Sequence, residues 1–201
     1  MKLTLPGLKK ILLATRPHTD DADVAATRAR ALFEAPGTPG TKSGHLVECL
    51  ARVSLFEDLG RRDLARLARI VHEREYGDGE YICEQGRPGA ALYIVRRGVV
   101  EVVKRGPGDR DVPIVLLEPP ASFEEAAALG TGTPRWFSVR ARGPVSLLAL
   151  GKSDLDALST DFPVMANRVL MRLAGLLAAR LGTLVDAAFL GESDEHAGSK
   201  Q

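Results

Sequence analysis

Between residues 45 and 71 apolar side chains recur at mixed three- and four-residue intervals: Leu46, Val47, Leu50, Val53, Leu55, Phe56, Leu59, Leu64, Leu67, Ala68 and Val71. That spacing puts them on one side of helical turns and predicts helices over this stretch. From residue 76 the pattern changes. Glycines at 77, 79, 86, 89 and 98 punctuate short runs built from Tyr81, Ile82, Leu92, Tyr93, Ile94, Val95, Val99, Val100, Val102 and Val103. Such β-prone runs between glycine turns predict short strands, and strands that short need a small closed or sandwiched antiparallel sheet. Residues 106–111, GPGDRD, read as a hairpin loop and 112–117 as the next strand, with Pro119 and Pro120 stiffening the approach to residue 123. Residues 136–141 alternate with period two, and 145–150 form the last strand. Ser153 suits the N-cap of a helix over 154–158, and Asp161, Phe162 and Pro163 mark a break before a long helix.

That helix is predicted over residues 163–188. Leu170, Leu177 and Leu184 recur every seven residues with Leu173 between them, a stripe that suits either a parallel helix pair or packing back over the chain's own barrel. Arg180 interrupts it. At the other end, residues 8–15 make a short amphipathic helix candidate. Asp20 or Asp21 can cap a second one through Val24, Ala29, Leu32 and Phe33. This arm, residues 1–35, is read as packed on the domain or partly disordered, or else as a docking element. Pro and Gly in residues 36–44, PGTPGTKSG, break regular structure and give a linker, so the domain is expected over 45–188 and a polar, disordered tail over 189–201.

Composition narrows the function classes. A chain of 201 residues with 45% apolar and 26% charged residues can bury a sizeable core, and its net charge of +1 provides no general field for nucleic acid or anionic membrane. The arginines at 61, 62, 66 and 69 form a local basic stripe, read as a solvated helix face over a patch for nucleic acid or an acidic partner. Cys49 and Cys83 stand apart, and the histidines at 18, 45, 72 and 196 share no ligand spacing, which argues against a disulfide or a metal site. The apolar run at 11–14 is too short for a signal sequence, and no stretch approaches the roughly 20 apolar residues of a membrane span. A bacterial cytoplasm is the expected location. No nucleophile elbow, zinc-protease, phosphate-loop or dinucleotide motif appears, so no catalytic residue is expected.

Candidate binding chemistry concentrates in residues 123–139, FEEAAALGTGTPRWFSV. A turn leads into a short alanine-rich helix whose amides from Glu125 through Ala128, Ala126 among them, lack intrahelical acceptors and can face an anion. After a Gly/Thr/Pro loop, Arg135 can return a fork of donors to the same anion.

Taken together, YGDGEYICEQGRPGAALYIVRRGVVEVV at 76–103, the pattern around Phe56 and Leu59, and the 123–139 segment resemble the cyclic nucleotide-binding domain family over residues 46–184. The resemblance implies an α+β fold, an antiparallel β jelly-roll barrel flanked by N-terminal helices and a long C-terminal helix, with Phe56 and Leu59 plugging the barrel end. It further implies that 123–139 is a phosphate-binding cassette. Glu125 matches the glutamate that accepts from a ribose hydroxyl, Arg135 the arginine that pairs with the cyclic phosphate, and Ser138 the hydroxylic residue that closes the motif. No cofactor is implied, and the ligands implied are cyclic AMP or cyclic GMP.

The departures from the family pattern are equally specific. Glu124 stands where the family has the glycine of its FGE motif, Pro120 replaces an earlier turn glycine, and Trp136 and Phe137 replace small residues. A carboxylate about 4 Å from a phosphate repels it by roughly 1 to 4 kcal/mol, or about one to three decades of affinity. Either Arg135 is already paired by Glu124 or Glu125 and the cassette is self-occluded, or Glu124 points away and Trp136 stacks on a purine. The family's transcription factors carry a further winged helix-turn-helix after the long helix, for which the dozen or so polar residues after 188 leave no room, so no nucleic-acid partner is expected. Two functions are implied: a regulatory sensor relaying ligand binding through the C-terminal helix to a protein partner or a second copy of the chain, or a ligand-free scaffold for protein assembly.

Overall fold

The computed structural model describes residues 41–197 apart from Thr131 and Thr133, without side-chain placement at 41–43, 107 and 187–197. The helical arm expected over 1–35 lies outside the described residues. The described chain runs α1 (Thr41–Ala51), a 3₁₀ turn (Ser54–Phe56), α2 (Arg61–Ile70), β1 (His72–Tyr76), β2 (Tyr81–Cys83), β3 (Ala91–Arg105) and a 3₁₀ turn (Pro107–Asp109). It continues through β4 (Asp111–Leu117), β5 (Ser122–Phe123), α3 (Glu125–Ala128), β6 (Ser138–Gly151), α4 (Lys152–Asp161) and α5 (Pro163–Ala197).

Every strand pairing is antiparallel, in the order β1-β6-β3-β4, with β2 added to β6 and β5 to β3. β3 and β6 are the spine. The first half of β3 pairs with β5 at Tyr93 and Ile94, and its second half with β4 from Val100 to Arg105, so the sheet rolls up around it. The expected break at Gly98 is instead a bend inside one 15-residue strand. Gly98 adopts φ +81°, and the register with β6 shifts on either side of Arg97. A bulge of this kind bends and twists a strand without ending it. Gly143, at φ +76°, lies likewise inside the single strand β6, which replaces the two strands expected there. Pro113 is tolerated because β4 is an edge strand and the ladder shifts beside it.

The bend also switches which face is buried. Before it, Leu92 and Ile94 join Leu148 and Leu150 under the helices, in a core with Leu50, Phe56, Leu67, Leu158, Met165, Val169 and Leu173. After it, Val100 and Val102 turn inward with Cys83, Ile114, Phe123, Val139, Val145 and Leu147 to fill the barrel. Phe56 and Leu59 sit in the first cluster and close the barrel end, as the sequence implied.

Three boundaries differ from the sequence reading. α1 begins at Thr41, inside the expected linker, because no glycine or proline follows Gly40 until Gly44 and the segment has Leu46 and Val47 to bury. α5 continues to Ala197 rather than stopping at 188, since alanine, leucine and glutamate in 188–197 sustain a helix once it is under way. Ser153 is not the cap of α4; Gly151 is, and Asp154 accepts its amide at 2.8 Å.

Candidate functional site

The site is assembled from the β5 to α3 turn and the chain leading into β6. Glu124 precedes α3 at φ +61°, ψ +28°, the left-handed region that favours glycine, and no side chain caps the helix. α3 has only four residues, so it offers backbone amides and little helix field. Across from it, the backbone of Arg135 is clamped to the loop after β2: its N–H donates to Arg87 O at 3.0 Å, and its carbonyl accepts from Gly86 N at 2.9 Å. Gly89 closes the gap. A Cβ added there would lie 2.7 Å from Ala127 Cβ, 3.0 Å from Glu124 Oε2 and 3.2 Å from Arg135 Nε, so cassette helix, carboxylate and guanidinium surround one point.

The two adjacent glutamates have different partners. Glu124 Oε2 accepts from Arg135 Nε at 3.0 Å, with both side chains largely buried. Glu125, only 1% exposed, accepts two hydrogen bonds from Arg180 of α5, Nη1 to Oε2 at 2.6 Å and Nη2 to Oε1 at 2.9 Å, and a third from Ser122 Oγ at 2.6 Å. The cassette arginine is therefore bound by a carboxylate of its own chain, and the cassette glutamate by the C-terminal helix. Arg180 Nε is buried with no acceptor among the described residues.

Burial pushes the Glu124 carboxyl above its ordinary range, and the hydrogen bond and charge of Arg135 draw it back only in part. Burial likewise raises the Tyr93 hydroxyl and the Cys83 thiol to about 12 each, helped for Cys83 by the Glu124 charge. Cys83 is therefore an unreactive barrel residue at neutral pH. Tyr93 stacks on Phe123 with ring centroids 5.3 Å apart.

Ser138 is buried at the start of β6, where its Oγ accepts from Gln85 N at 2.9 Å and ties the strand to the loop after β2. Trp136 is 66% exposed, so it fills no interior volume; Phe137 does, packing against the barrel core. Ala126, half-buried, lies within α3. Of the heptad stripe, Leu173 is fully buried against the chain's own core and Leu170, Leu177 and Leu184 are half-buried. Among the described residues of α5 the exposed large apolar side chains are Val164, Met171, Leu181 and Val185. Sequence reasoning missed Ser122, Gly89 and the role of Arg180. The signal for Arg180 was present, a lone cation interrupting an apolar stripe.

Among the described residues no group of three His, Cys, Asp or Glu can hold a metal, and no helix is long and apolar enough to cross a membrane. A family model described as "Cyclic nucleotide-binding domain" matches residues 73–161. A cyclic nucleotide-gated potassium channel of Mesorhizobium japonicum is 34% identical over 120 residues, 60% of this chain and 32% of the channel. A CRP-like cAMP-activated global transcriptional regulator of Mycobacterium tuberculosis is 26% identical over 142 residues, 71% of this chain and 63% of the regulator. The chain thus spans 32% of the length of the first of these relatives and 63% of the second. The N-terminal domain of a transcriptional regulator from Streptomyces coelicolor superposes with a TM-score of 0.60 at 29% identity, over 65% of this chain and 92% of that domain. With its rolled antiparallel sheet, its helices over one end of the barrel and the segment between β5 and β6, the chain matches the cyclic nucleotide-binding domain family over residues 73–161.

Proposed function

We propose that the chain is a non-catalytic regulatory sensor in which a cyclic nucleotide, or another phosphorylated small molecule, is sensed at the cassette and the event is relayed by α5 to a partner. The observation that carries this reading is the paired hydrogen bond from Arg180 to Glu125. A ligand hydroxyl that engages Glu125 must share or displace the cation of α5, and a buried charge left without its partner costs about 3–5 kcal/mol. Ligand binding and helix position are thereby coupled in both directions. Arg135 receives the phosphate only as Glu124 yields, so the ion pair sets a threshold for the ligand. The buried Arg180 Nε–H supplies one further donor beside Glu125. The channel and the regulator, by their names, respond to cyclic nucleotides, which supports the same ligand class here.

Calorimetry on the native chain with cyclic AMP, cyclic GMP and cyclic dinucleotides tests the reading. A sensor binds at least one of them, loses it in Arg135→Ala and binds with altered affinity in Arg180→Ala. At 100 times its dissociation constant the ligand adds about 2.7 kcal/mol of stability, visible as a melting shift. The alternative, a ligand-free scaffold, is favoured by one observation, that Glu124 already occupies Arg135. It expects no binding by the native chain. A homodimer through α5 would use the exposed Val164, Met171, Leu181 and Val185 rather than Leu173.

A further inference from the structure

Away from the cassette, the start of α5 and the outer face of α2 enclose a groove of about 340 Å³, lined by Asp63, Arg66, Phe162, Val164, Met165 and Arg168. Its floor is apolar and open: Phe162 and Val164 are among the exposed large hydrophobic residues, at 39% and 69%. Its walls carry two arginines, Arg66 and Arg168, about one carboxylate, Asp63. The Arg66 guanidinium lies 4.7 Å from the centre of the Phe162 ring and 2.7 Å from Asp63, which Arg168 approaches from the other side at 3.8 Å. Arg62, Arg66 and Arg69 fall at i, i+4 and i+7 on the side of α2 opposite the buried Leu64 and Leu67. Arg61, Arg62 and Arg69 have no acidic partner among the described residues.

A basic row in which Arg62 and Arg69 have no acidic partner among the described residues, beside an open apolar floor, is more than solvation of a helix face requires, because solubility is served by mixed charge without exposed phenylalanine and valine. We propose that this groove docks an acidic amphipathic segment of a partner protein, its carboxylates on Arg62, Arg66 and Arg69 and its apolar side chains on Phe162 and Val164. Charge complementarity selects acidic chemistry. The floor selects protein over nucleic acid, because a phosphate backbone gains nothing from the exposed Phe162 and Val164 whereas apolar side chains of a peptide do. The proposal does not rest on the cassette, since none of these residues belongs to it.

The test is fluorescence anisotropy on the full chain with two probes: a labelled helical peptide with glutamates on one face and leucine and phenylalanine on the other, and a labelled DNA duplex. Arg62→Glu/Arg66→Glu/Arg69→Glu reverses the wall arginine Arg66 and the two arginines that flank it on α2. Val164→Asp alters the floor without harming the fold, because an acidic residue in the first turn of a helix is favourable. Circular dichroism verifies that each variant stays folded. The peptide is expected to bind saturably and to weaken at least about tenfold in each variant. Absence of peptide binding by the native chain overturns the proposal, as does loss in the arginine variant with none in Val164→Asp, or tighter binding of the duplex than of the peptide.

Discussion

Glu124 concentrates three unfavourable features in one residue: a backbone angle that favours glycine, a carboxylate removed from water, and a neighbour of like charge. What holds it there is Arg135, 3.0 Å away. Replacing a glycine by this residue exchanges an open approach to the backbone for an internal counter-ion, so the anion site is furnished by the chain itself. Because its carboxyl titrates above the ordinary 4.5, the folded state binds this proton more tightly than the unfolded one. The stability it contributes is therefore fully present below about pH 4.5 and is lost as pH rises through the shifted titration. Melting curves of the native chain and Glu124→Gln, from roughly pH 4 to pH 7, should show the native advantage shrinking towards neutrality. A difference that grows with pH would mean that Arg135 dominates over burial. The position of the pocket residues was legible from order and spacing. Which of two adjacent carboxylates reached Arg135 was not, because that depends on the turn at Glu124 and on a cation 55 residues further along.

Among the secondary-structure elements, β3, β6 and α5 decide the geometry. Gly98 is where β3 bends, and a Cβ there would meet Pro144 O at 2.5 Å on top of its positive φ. Gly98→Ala is therefore expected to cost at least about 1–3 kcal/mol in chemical denaturation, whereas the same change at Gly44, whose Cβ direction is open, should cost little. Glycine punctuation in the sequence located the bends correctly, but a glycine that ends a strand and one that bends it look alike until pairing partners are known. The α5 stripe shows the converse. Its period was readable, while its direction was set by where β6 and α4 deliver the chain, which turns Leu173 inward and leaves Met171 outside. Arg180 anchors this helix to α3. Arg180→Ala should destabilise by about 3–5 kcal/mol, and Arg180→Met combined with Glu125→Gln by clearly less than the sum of the two single changes. Additivity in that cycle would contradict a direct link between cassette and helix.

Over the molecule as a unit, one core joins the helices to the barrel end and a second fills the barrel, and the cassette lies where the short α3 meets both α5 and β3. Arg172 of α5 adds a second clasp, pairing with Glu57 and Asp58 after the first 3₁₀ turn. The long helix is thus held at Arg172 by the N-terminal elements and at Arg180 by Glu125. Sequence pattern reached the fold class because helix and strand periods differ sharply along this chain. It reached the pairing of Arg135 with a neighbouring glutamate as one of two alternatives, but not those of Arg180 and Arg172, which join residues far apart in order.

Glu124 occupies the arginine that a phosphorylated ligand would need, and its removal should therefore open the cassette to such a ligand. Calorimetric titration of cyclic AMP into Glu124→Gly, beside the native chain, reads this out. Loss of a carboxylate near the phosphate should strengthen or create binding by at least about tenfold. Equal affinity in the two proteins, or weaker binding in the glycine variant, would contradict it.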